Sequence, residues 1–93
     1  MTGGGSLEAT LWVEGQIAAD YRGLKDGHKL TLLVYADGPG AKPTALSQRT
    51  GIAIARQREI YKDLKDAGLL EAVAKVFYGD RFEDAVKSGL WSE

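Results

Sequence analysis

Apolar residues recur along this chain at helical spacing, in stretches separated by glycine- or proline-bearing breaks. From Leu7 to about Leu24 the positions Val13, Ile17, Tyr21 and Leu24 are spaced by four, four and three, one stripe of an amphipathic helix. Ser6 precedes that helix as an N-cap, and Glu8 falls in its first turn, where the helix dipole favours a carboxylate. Gly23 and Gly27 bracket a break, and Leu30, Leu33 and Val34 then predict a second helix over His28–Ala36. Asp37-Gly38-Pro39-Gly40 is a loop. Pro43 suits the first position of a short third helix running to Thr50, which Gly51 ends in a left-handed turn. A fourth helix follows from about Ala53 to Ala67. Ile60 and Leu64 form its buried edge, Ile54 and Gln57 continue that edge toward the N-terminus, and Gly68 stops it.

The stretch Leu69–Tyr78 reads in two ways. Its β-branched and aromatic residues suit the strands of a hairpin, although no Asn-Gly or Asp-Gly pair marks a turn. Leu69, Val73, Val76 and Phe77 also lie at i, i+4, i+7 and i+8, the spacing of a helix. Beyond Gly79, Asp80 and Glu83 make a capping-box-like pair for a last helix, with Phe82, Ala85, Val86 and Leu90 on one face.

The run from Leu46 to Leu70 resembles winged helix-turn-helix DNA-binding domains such as the MarR-like and PadR-like regulators. The residues that carry the likeness are Leu46, Gly51, Ile52, Ile60, Leu64, Gly68, Leu69 and Leu70. The likeness extends from Lys29 to Val73 and departs from the family pattern at two positions. Ala53 stands where a Ser or Thr cap is usual, and Gln57 where an apolar residue is usual. The resemblance implies a mainly α (α+β) fold: a winged helix-turn-helix, about 43–68, with a short wing within 69–78 and extra N- and C-terminal helices. It is read as a single domain over 7–93 behind a flexible tail, 1–6.

Composition adds little to this picture, but the distribution of charge adds more. The chain is 44% hydrophobic and 27% charged, ordinary for a folded domain, with a net charge of −1. Residues 1–41 hold three Lys/Arg against five Asp/Glu, residues 42–65 six against two, and residues 66–93 three against six. The positive charge is therefore concentrated in the helix-turn-helix, the pattern of a protein that meets a polyanion in one orientation. With no cysteine and one histidine, neither a thiolate nor a histidine metal site is expected. Gly38-Pro39-Gly40 is not followed by the Gly-Lys-Ser/Thr of a phosphate loop. Ser47 lacks the strained elbow of a nucleophile. The chain is accordingly read as no enzyme, without cofactor, metal or membrane partner, and cytoplasmic.

The expected function is sequence-specific binding of double-stranded DNA by a dimeric transcriptional regulator, with helix 53–67 in the major groove. Arg56 and Arg58, with Ala55 and Glu59, are expected nearest the base edges, because an arginine fork matches guanine O6 and N7. Lys62, Tyr61, Arg49, Gln48, Thr44 and Lys42 are expected on phosphates or flanking positions, and Lys75 or Arg81 in an adjacent groove. Leu7, Leu11 and Trp12, with Phe82, Leu90 and Trp91, are more apolar surface than two terminal helices of a small domain need, and are read as a dimer interface. The alternative is a winged-helix module for protein–protein contact or DNA segregation, whose binding would lack the steep salt dependence of DNA binding.

Overall fold

The computed structural model describes residues 5–20 and 23–91. Among them are six α-helices and no strand: α1 (Ser6–Ala18), α2 (Asp26–Asp37), α3 (Pro43–Thr50), α4 (Ile54–Asp66), α5 (Leu69–Tyr78) and α6 (Phe82–Lys87). A 3-10 turn, Gly79–Arg81, leads into α6. No helix is long and apolar enough to cross a membrane among the described residues.

The first helix is capped by Gly5 rather than Ser6, and the Gly5 amide donates to the Phe77 carbonyl on α5. Gly5 and Ser6, expected in the tail, are thus held to the body, whereas residues 1–4 lie outside the described residues. α1 buries Ala9 and Val13 against α2 and α5 and ends at Ala18, short of the expected Leu24. Leu24 packs against the core from the connecting segment, and Tyr21 lies outside the described residues.

In α2 the inward face is rotated from the expected one. Thr31, Leu32, Tyr35 and Ala36 are buried, and Leu30 is 42% exposed. A polar residue and a tyrosine can hold core positions here because both hydroxyls are satisfied. Thr31 Oγ1 donates to the Gly27 carbonyl at 2.8 Å, and Trp91 Nε1 donates to the Tyr35 hydroxyl at 2.9 Å. Burial pushes the Tyr35 phenol above its ordinary pKa of 10.0, against the opposing pull of the Trp91 hydrogen bond.

The turn between α3 and α4 is three residues long, Gly51 to Ala53. Gly51 has φ 80°, a left-handed conformation that glycine adopts without a Cβ penalty, and its amide closes α3 by donating to the Ser47 carbonyl. α4 then buries Gln57, Ile60 and Leu64. Gly27, at the start of α2, lets α4 come close: a Cβ there would lie 2.9 Å from Ile60 Cδ1.

The wing is absent, and the α+β expectation is corrected to an all-helical fold among the described residues. Leu69–Tyr78 forms α5, with Leu69, Leu70, Val73 and Ala74 buried. Two physical reasons decide it. The segment has only two β-branched residues, and its remainder is dominated by the good helix formers Leu, Ala, Glu and Lys. Its apolar positions also fall on one helical face that closes the core against α1, α2 and α4. A hairpin in that place would turn half of them to solvent.

The C-terminal segment folds back across the loop after α2. Gly40 (φ 100°) is required there twice over, since a Cβ would also meet Leu90 Cδ1 at 2.8 Å. Trp91 stacks edge-on against Phe82, ring centroids 5.8 Å apart.

Candidate nucleic-acid interface

The position of α4 is set by a buried relay of hydrogen bonds. Gln57 Nε2 donates to Thr31 Oγ1 on α2 at 2.9 Å, and Thr50 Oγ1, at the end of α3, donates to Gln57 Oε1 at 2.6 Å. The Ile52 amide in the turn donates to Thr50 Oγ1 at 3.2 Å. Gln57 is fully buried, so both ends of its amide tie α4 to its two neighbours with little competition from water. Ala53 caps α4 without any side-chain hydrogen bond. The turn before it is held by Thr50, three residues earlier, whose hydroxyl accepts from the Ile52 amide.

A helix turns about 100° per residue, so Arg56 and Arg58 stand about 160° apart around α4 and do not act as a pair. Arg56 is on the flank facing α2. Its guanidinium pairs with Glu59 at 3.0 Å, and it lines a cleft of about 350 Å³ with His28 and Asp63. There His28 Nε2 lies 3.1 Å from Asp63 Oδ2, and its Nδ1 is buried without a partner. Arg58 is on the other flank, exposed and without an ion pair among the described residues. Lys65, nearly two turns on, shares that flank and also has no ion pair among the described residues. Lys62 lies between them and the outward face and is paired with Asp66 at 3.3 Å, an exposed contact worth little. Arg58, Lys62 and Lys65 therefore form one cationic ridge within a sector of about 60°. Ala55 and Glu59 are exposed beside it.

Next to this ridge is an open groove of about 790 Å³ between the N-terminal ends of α3 and α5. Arg58, Tyr61 and Lys65 line it from α4; Lys42, Pro43 and Thr44 from α3; Gly68, Leu70 and Glu71 from the start of α5; and Trp91 closes its end. Lys42 Nζ reaches the Trp91 carbonyl at 3.5 Å, and Glu71 is already paired with Lys75 at 3.2 Å.

Of the other expected contacts, Gln48 and Thr44 are exposed on α3, and Arg49 is held by Asp37 at 2.9 Å, bracing α3 against α2. Lys75 is on α5 rather than on a wing, with its ammonium 5.7 Å from the Phe82 ring centre, and Arg81 is in the 3-10 turn. The apolar residues assigned to a dimer interface divide. Leu7 and Leu11 are 71% and 56% exposed, but Trp12 packs on the core and Leu90 on Gly40, while Phe82 and Trp91 pack on each other. Lys65 and Trp91 were not singled out for this groove from sequence. The spacing of Arg58, Tyr61 and Lys65 at i, i+3 and i+7 is the signal that places three of its residues on one flank.

No protein-family model matches the chain, and no curated protein or solved structure matches it.

Proposed function

We propose that this protein binds double-stranded DNA, with α4 presented to the major groove. The observation that carries the reading is the cationic ridge Arg58–Lys62–Lys65 on a helix whose inner side is locked by the Gln57 relay. A helix fixed in angle and charged on its outer flank gains phosphate contacts without losing much conformational freedom on binding. On this reading Arg58 takes the base-edge role and Lys62 a backbone role, while Arg56, turned toward α2, contributes little. Two copies would read two half-sites as a transcriptional regulator does.

The test is fluorescence anisotropy with duplex DNA at two salt concentrations. Binding should weaken steeply with salt, and Lys62→Ala should lower the slope of log K against log salt by about one. Arg58→Ala should cost about 1–3 kcal/mol on the preferred site and relax its preference. Arg56→Ala should leave both nearly unchanged. Absence of binding at low salt, or a larger loss from Arg56→Ala than from Arg58→Ala, overturns the reading.

The second reading, a protein-contact module, is favoured by the exposed Leu7 and Leu11 on α1. It predicts binding partners whose affinity does not depend on salt.

A further inference from the structure

The groove beside α4 holds more than a duplex surface can use. Arg58, Tyr61 and Lys65 line it from α4, and Trp91 lines it from the C-terminal segment. The two α4 cations are about 10.5 Å apart along the helix axis, with the phenol ring between them in sequence. Neither is neutralised by an ion pair among the described residues, and Lys42 adds a third positive charge. Among the described residues the one acidic residue on the wall, Glu71, is engaged with Lys75. At about 790 Å³ the space is within the range of small-molecule sites, roughly 300–1,000 Å³.

Cations side by side with aromatic rings in a concave space fit a ligand that is both anionic and aromatic. A duplex offers phosphates on a convex backbone while its bases stay stacked inside, out of reach of a groove wall. An unstacked nucleotide offers both parts: a phosphate for the cations and a flat base for an aromatic face. We propose that this groove binds a nucleotide unit, its phosphate held by Arg58 and Lys65 and its base against Tyr61 or Trp91. The unit is either a free mononucleotide or one residue of a single strand. The inference does not rest on duplex binding, because its probe is a mononucleotide.

Trp91 supplies the readout. In the Trp12→Phe background it is the one tryptophan left in the chain, and its emission is followed during titration with adenosine 5′-monophosphate, adenosine, inorganic phosphate and a four-residue deoxyadenosine strand. The expected result is a saturable change with the monophosphate, with half-saturation at or below about 1 mM. Adenosine and phosphate alone should each be at least about tenfold weaker, since each lacks one half of the recognition. Arg58→Ala and Lys65→Ala should each weaken binding by about tenfold, the worth of one charge-assisted hydrogen bond. Both side chains are exposed, so the circular dichroism of these variants should match the parent. Lys87→Ala, an exposed cation on α6 outside the groove, should bind as the parent does. Tighter binding of the strand than of the monophosphate identifies the single strand as the source, and equal or weaker binding the free nucleotide. The proposal is overturned if adenosine binds as well as its monophosphate, if no probe gives a saturable change, or if Lys87→Ala weakens binding as much as Lys65→Ala.

Discussion

Gln57 shows how one polar residue can hold three helices. Its amide accepts from Thr50 and donates to Thr31, and the residue is fully buried. In Gln57→Leu the side chain still fills the space, but the Thr50 hydroxyl loses its acceptor and Thr31 Oγ1 its donor. The expected destabilisation is about 1–3 kcal/mol, the penalty for leaving buried hydrogen-bonding groups unmade. Two second substitutions separate this from simple loss of shape. Thr31→Val in the Gln57→Leu background should recover part of the stability, because it removes the buried oxygen left without a donor, less the bond that the hydroxyl still makes to the Gly27 carbonyl. Thr50→Val should recover none, because it also strips the Ile52 amide of its partner. Urea denaturation of the three variants reads the outcome; equal recovery from both would refute the relay. From the sequence alone Gln57 is a polar interruption of an apolar edge. Its role depends on Thr31, 26 residues away, a pairing that no local pattern contains.

At the scale of elements, local periodicity carried most of the fold. α3, the Gly51 turn and α4 are where the spacing of Leu46, Ile60 and Leu64 puts them, to within one residue at each end of α4. Helix α5 was half legible, since Leu69, Val73, Val76 and Phe77 already show a helical period. What tipped the reading to strands was chiefly the family likeness, added to β-branched and aromatic residues that also suit a strand. The division of Arg56 from Arg58 was legible too, from the helical repeat alone, whereas the groove was not, because Lys42 and Trp91 reach it from distant parts of the chain. The approach of α2 to α4 at Gly27 makes its own prediction. Alanine is the better helix former, yet its methyl would press on Ile60 Cδ1 at 2.9 Å. Gly27→Ala should therefore destabilise the parent, while in an Ile60→Val background, which lacks that atom, it should be neutral or stabilising. A double-mutant cycle by thermal denaturation should give a coupling of about 0.5–3 kcal/mol, and additivity would show that the contact does not limit the packing.

For the whole molecule, the arrangement of helices separates two surfaces. α1 packs on α2 and α5 and touches neither α3 nor α4, so whatever covers its outer side leaves the cationic ridge free. That outer side carries Leu7 and Leu11 toward one end and the small residues Gly15 and Ala18, both exposed, toward the other. Two copies of α1 placed antiparallel about a two-fold axis bring Leu7 opposite Ala18 and Leu11 opposite Gly15, large against small on both sides, as an isologous contact requires. The proposed dimer therefore narrows to α1, with Trp12, Phe82, Leu90 and Trp91 retained within each protomer. Sedimentation velocity over a concentration series should show a monomer–dimer equilibrium for the parent and a monomer for Leu7→Lys/Leu11→Lys. The double variant should keep its helicity, because both sites face solvent and lysine propagates a helix nearly as well as leucine. On a duplex carrying two half-sites one helical turn apart, about 34–36 Å, the parent should bind cooperatively and the variant independently. A parent that stays monomeric throughout, or a variant that still dimerises, removes α1 as the interface.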